Sequence, residues 1–98
     1  MTEVVNKVRN VLRLRDEFLG LLVKAQESRN NLTCEDWIAF ERNTMHAAVN
    51  RERTRLGESP ISLEAVERVE RMACGHSDYS RKFALYCVEL AYGVPVKP

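Results

Sequence analysis

Apolar residues recur at helical spacing through most of the chain, and polar connections bearing glycine or proline divide that pattern into four segments. In the first, from about Thr2 to Gln26, Val4, Val8, Val11, Leu12, Phe18, Leu19 and Leu22 make one broad apolar face. The second, Cys34 to Leu56, turns Trp37, Ile38, Met45, Ala48, Val49 and Leu56 inward. The third, about Leu63 to Cys74, buries Leu63, Val66, Val69, Met72 and Ala73, while Glu64 with Arg68 and Glu67 with Arg71 form outward i,i+4 pairs. The fourth follows the turn Gly75-His76-Ser77-Asp78 and ends at Tyr92. Phe83, Ala84, Leu85, Tyr86, Cys87, Val88 and Leu90 make it apolar around most of its girth, as expected of a central core helix.

The boundaries carry their own chemistry. Thr33 is placed to cap the second helix, with Asp36 reaching back to close a capping box and Leu32 stapling Trp37. Ser62 caps the third helix beside Ile61 and Val66, and Ser77 or Asp78 caps the fourth. Gly57, Gly75 and Gly93 are stops, and Gly20 marks a close helix contact or a slight bend. The pattern predicts an all-α fold, a compact bundle of about four helices, two long and two shorter, joined by short loops. At 98 residues it forms a single domain over 1–98 with a flexible tail over 93–98.

Fifteen Lys and Arg against fourteen Asp and Glu leave no bulk charge for capturing nucleic acid, so any such contact needs a local patch. Two are present. Lys7, Arg9, Arg13 and Arg15 make the opening of the first helix basic, and Arg51, Arg53 and Arg55 crowd the end of the second. The latter suit a helix C-terminus, and Arg51 and Arg55, one turn apart, are also placed to grip a carboxylate or phosphate on a partner. With the exposed Pro60 they are the candidate partner-binding residues. The X-Pro bonds of Pro60 and of the tail suggest a host prolyl isomerase as a further partner.

No apolar run approaches the roughly 20 residues of a membrane span, and no secretory leader is evident, so a cytoplasmic protein without a membrane partner is expected. Cys34, Cys74 and Cys87 all read as free thiols buried as small hydrophobes. Cys74, His76 and Cys87 supply only half of a zinc-ligand pattern, which leaves metal or small-ligand binding a third reading. Neither a phosphate-binding glycine loop nor a nucleophile elbow occurs, and no catalytic residue, cofactor or metal is assigned. A helix-turn-helix is disfavoured by Arg71 and His76 at positions that should be small and apolar, and by the apolar girth of the fourth helix.

The segment Met72-Ala73-Cys74-Gly75-His76-Ser77-Asp78-Tyr79-Ser80-Arg81-Lys82-Phe83-Ala84-Leu85-Tyr86-Cys87-Val88-Glu89-Leu90 resembles accessory proteins from the early regions of lambdoid phages, and among them the anti-RecBCD proteins of P22-like phages. The resemblance covers about a fifth of the chain. It implies a non-enzymatic protein that binds a host recombination nuclease such as RecBCD in the host cytoplasm and touches nucleic acid only indirectly. The runner-up is a small nucleic-acid-binding protein using Arg9, Arg13, Arg51, Arg53 and Arg55.

Overall fold

A computed structural model describes residues 2–97, with side chains from Lys7 to Lys97. It contains four α-helices: α1 (Thr2–Glu27), α2 (Cys34–Arg55), α3 (Leu63–Ala73) and α4 (Tyr79–Tyr92), with a short 3-10 turn at Ser28–Asn30. No strand occurs among the described residues. The predicted all-α bundle of two long and two shorter helices is therefore the observed architecture. It measures 47 × 24 × 24 Å, the long axis reflecting α1. Helices α2 and α4 each pack against all the others, whereas α1 and α3 do not meet among the described residues.

The caps explain most of the boundaries. Thr33 Oγ1 accepts from Asp36 N–H at 3.1 Å, and Ser62 Oγ accepts from Ala65 N–H at 3.3 Å. Only the forward half of the predicted box at Thr33 forms. At α4, Asp78 occupies the cap position but its side chain makes no capping bond. Two helices end in paired bonds around a left-handed glycine: Glu58 N–H to Arg53 O and Gly57 N–H to Thr54 O after α2, then Val94 N–H to Glu89 O and Gly93 N–H to Leu90 O after α4. Gly57 and Gly93 have φ of 78° and 72°, where a side chain would be strained. A Cβ at Gly20 would meet nothing within 4 Å, so no close helix contact explains that glycine.

The core is built from Phe18, Leu22, Met45, Val49, Val66, Val69, Phe83 and Cys87, all essentially inaccessible. Six of the 14 residues of α4 are buried, as its apolar girth predicts. Several expected positions are corrected. Val8 and Leu12 are exposed, while Leu14 and Ala25 are buried instead, because the inward stripe of α1 runs through Leu14, Phe18, Leu22 and Ala25. Val4 lies outside the described side chains. Leu56 is exposed, and Trp37 is half-buried and stands apart from the core cluster. Of the three thiols, Cys34 and Cys74 are exposed and only Cys87 is buried.

The tail also departs from expectation. Val96 is buried in the core and its carbonyl accepts from Arg68 at 3.2 Å, so the segment after Gly93 is packed back onto α3. Arg68 is thereby drawn away from its expected pairing with Glu64. Glu67 faces Arg42 of α2 at 3.7 Å, not Arg71.

These placements separate two aromatic truncations. Phe83→Ala, which empties a fully buried site beside the tilted ring of Tyr79, 5.7 Å away between centroids, is expected to cost about 3–5 kcal/mol. Trp37→Ala, at the bundle's margin, is expected to cost about 1 kcal/mol. Urea unfolding followed by circular dichroism checks both, and equal losses would contradict the peripheral position of Trp37.

Candidate functional site

The arginine cluster does not stay together on the surface. Arg53 turns inward: its Nε donates to Ser59 O at 2.5 Å and its Nη1 to Leu90 O at 3.0 Å. One guanidinium thus ties the loop after α2 to the last turn of α4. Arg55 pairs with Glu52 one turn back, and Arg51 is exposed without an ion pair among the described residues. Of the three candidate partner-binding arginines, two therefore present their charge outward and the third is a structural clamp. Replacing all three cannot be expected to leave the fold nearly intact.

Pro60 lies in the loop that Arg53 holds. On its other side, Asn50 of α2 accepts from Ile61 N–H at 2.8 Å and donates to Ile61 O at 3.2 Å, and His46 Nε2 lies 2.9 Å from the same carbonyl. The same Nε2 lies 3.1 Å from Asn50 Nδ2, so the tautomer protonated on Nε2 donates to Ile61 O and the other accepts from Asn50. Three α2 side chains spaced along one face, His46, Asn50 and Arg53, thus fix both residues flanking Pro60. Pro60 itself remains exposed, as do Leu56, Glu58 and Ser59.

At the opposite end of the bundle lies a second polar cluster that the sequence pattern does not reveal. Glu41, 1% exposed, accepts from Tyr79 Oη at 2.6 Å on Oε1 and from Gln26 Nε2 at 3.0 Å on Oε2. Gln26 also donates to Ser80 Oγ at 2.9 Å. Glu70, 6% exposed, takes a two-pronged bond on Oε1 from Arg42 Nε and Nη2, at 3.0 and 2.7 Å, while its Oε2 is buried without a hydrogen-bond partner. Burial pushes the Glu41 carboxyl above its ordinary range, and nearby Glu70 adds to this against the bonds from Tyr79 and Gln26. Burial likewise raises the Tyr79 phenol, helped by its bond to Glu41, and holds Cys87 as a thiol.

These residues come from all four helices, and each donor is committed to an acceptor inside the cluster. That arrangement locks the helices together. Cys74 and His76 are both exposed in the α3–α4 turn, Cys87 is buried in the core, and no three potential ligands converge on a metal position among the described residues. A groove of about 500 Å³ between α1 and α4 is lined by Arg15, Asp16, Leu19, Asp78, Arg81, Lys82, Ala84 and Leu85, with charges of both signs. Arg9 and Arg13 are exposed on α1.

No protein-family model, curated protein or solved structure matches the chain. The segment carrying the phage resemblance is chiefly α4, whose Phe83, Ala84, Tyr86, Cys87 and Val88 are buried, so those residues bear on the core more than on any surface.

The buried Glu41 has a consequence for pH. Its folded pKa lies above its ordinary value of 4.5, so the fold favours the protonated form, and this contribution to stability is lost as pH rises from about that value through the raised one. Glu41→Gln keeps the shape, and the amide of Gln26 can turn to accept from the new donor. The variant is expected to gain melting temperature over wild type at pH 7 and to lose that advantage near pH 4. Parallel thermal melts across this range check the sign.

Proposed function

We propose that this chain is a non-enzymatic protein-binding module that docks through the loop carrying Pro60, most specifically a phage-type protein that binds and modulates a host recombination nuclease. One observation carries the docking surface: Ser59 and Ile61 are pinned by Arg53, Asn50 and His46 while Pro60 between them stays exposed. A loop held on both sides has lost its conformational freedom on folding, so a partner need not order it again. Binding residues are disproportionately found on loops that a rigid scaffold positions.

The rim favours an acidic partner. Arg51, exposed without an ion pair among the described residues, and Arg55, exposed but already paired with Glu52, stand on the last turns of α2 next to the exposed Leu56, an apolar contact edged by guanidinium groups. The resemblance of the α3–α4 segment to anti-RecBCD proteins is what favours a RecBCD-like nuclease as the partner. Pro60 presented in this way also suits recognition by a host prolyl isomerase. Contact with nucleic acid is then indirect, through the nuclease.

The test is digestion of linear duplex DNA by purified RecBCD with increasing amounts of this protein. Altered digestion at near-stoichiometric ratios is expected. Arg51→Gln combined with Arg55→Gln is expected to weaken the effect about tenfold while melting like wild type, by loss of two rim charge pairs. Pro60→Ala is expected to keep helix content and change the rate of complex formation. Unaltered digestion would remove the nuclease from the reading, and tight binding to free DNA that weakens steeply with salt would favour the nucleic-acid alternative.

A further inference from the structure

The segment after α4 is held to the bundle at one point. Gly93, Val94, Pro95 and Lys97 are exposed, whereas Val96, 5% exposed, belongs to the core cluster. One side-chain bond secures it there, from Arg68 Nη2 to Val96 O at 3.2 Å. Pro95 has no N–H to offer a neighbour. The segment is a short strap with a single apolar plug, and a chain end seated by one side chain opens far more often than the helices beneath it.

Where the strap leaves α4, it meets the clamp on the Pro60 loop at a single atom. Leu90 O accepts from Gly93 N–H at 3.2 Å, closing the left-handed turn after α4, and also from Arg53 Nη1 at 3.0 Å. A carbonyl oxygen has two lone pairs, and these donors use both. Val94 N–H completes the turn by donating to Glu89 O at 2.9 Å. A Cβ at Gly93 would lie 3.8 Å from the same Nη1, so the guanidinium rests against the turn itself. The Nε of that guanidinium donates to Ser59 O, on the residue before Pro60. Because the guanidinium is one rigid plane, a shift of Leu90 O tilts the donor to Ser59 as well.

We infer that the C-terminal strap governs how firmly the Pro60 loop is braced, through the carbonyl of Leu90 that both share. With Val96 seated, the turn at Gly93 is closed, Leu90 O is fixed, and Arg53 spans from it to Ser59. With Val96 out of its seat, the turn keeps only its own two backbone bonds, the last residues of α4 fray, and Arg53 loses the anchor that sets its grip on Ser59. Asn50 and His46 still hold Ile61, so the loop slackens on its Ser59 side. The coupling is reciprocal: whatever tightens the loop keeps the strap seated, and whatever draws Val96 out loosens the loop by the same factor. It is a property of the isolated chain and does not depend on which partner the loop meets.

Amide hydrogen exchange of the full chain, read residue by residue by NMR, tests this. Val94 N–H reports the strap, Glu58 N–H, bonded to Arg53 O at 2.8 Å, reports the Ser59 side of the loop, and Phe18 N–H in α1 reports opening of the whole bundle. Val96→Ser, which makes the plug polar, is expected to speed exchange about tenfold at both Val94 and Glu58 beyond any change at Phe18. Arg68→Gln, at an exposed position, removes the bond to Val96 O without emptying the core and is expected to speed the same two amides by a smaller factor. In an Arg53→Gln background, Val96→Ser is expected to speed Val94 but not Glu58, because the bridge between them is gone. A response of Val94 without Glu58 in either single variant overturns the inference. So does an acceleration that Phe18 shares equally, or a Glu58 response that survives Arg53→Gln.

Discussion

The buried carboxylates Glu41 and Glu70 set the terms on which the rest of the bundle is built. Removing a carboxylate from water costs several kcal/mol unless donors replace the lost hydration. Here the network draws on every helix: Gln26 from α1, Arg42 from α2, and Tyr79 with its neighbour Ser80 from α4, while Glu70 itself hangs from α3. The helices cannot slide or rotate relative to one another without stranding one of these charges. A purely apolar interface among the same helices would tolerate such slippage far better, since apolar side chains of similar volume pack acceptably in more than one register. The orphaned Oε2 of Glu70 shows that the network is held at some energetic disadvantage.

A second clamp closes the other end. Arg53 reaches both Ser59 O and Leu90 O, and His46 with Asn50 holds Ile61, so the α2–α3 loop and the end of α4 move as one piece. Between the two polar clamps lies the dry core of Phe18, Leu22, Met45, Val49, Val66, Val69 and Phe83. The division of labour is physical: apolar burial supplies the bulk of the stability without direction, and the polar ends fix which arrangement it stabilises. Rigidity delivered to a surface loop in this way is the property a docking site requires.

What can be read from the sequence follows from which signals are local. Thr33, Ser62, Gly57 and Gly93 act within one turn of the backbone, and each marks its boundary to within a residue or two. The apolar girth of α4 likewise announces a central helix, because no single-sided helix needs so many large side chains. The polar clamps are not legible. Glu41 and Glu70 sit among charged neighbours that look like any solvated face, and only the arrival of donors 15 to 38 residues away justifies their burial. Arg53 misleads in the opposite direction. Its position at the end of a helix suits the dipole so well that its true partners, a loop carbonyl and the last turn of α4, leave no trace in the local pattern.

Helix α1 shows the subtler failure, and its cause bears on how the molecule works. Hydrophobic periodicity merges Val8, Val11, Leu12, Phe18, Leu19 and Leu22 into a single broad face because it sums every apolar residue within reach of one direction. The structure divides that face into two stripes, one buried by this chain and one left open. A helix that served only its own bundle would gain nothing from Val8, Leu12 and Val23, since polar residues there would be equally helical and more soluble. The first buried residue of α1 among those described is Leu14, with Val11 partly buried against the same core a turn earlier. Breadth of an apolar face beyond what the fold can cover is thus itself a signal, but it becomes readable only once the fold has shown how much it covers.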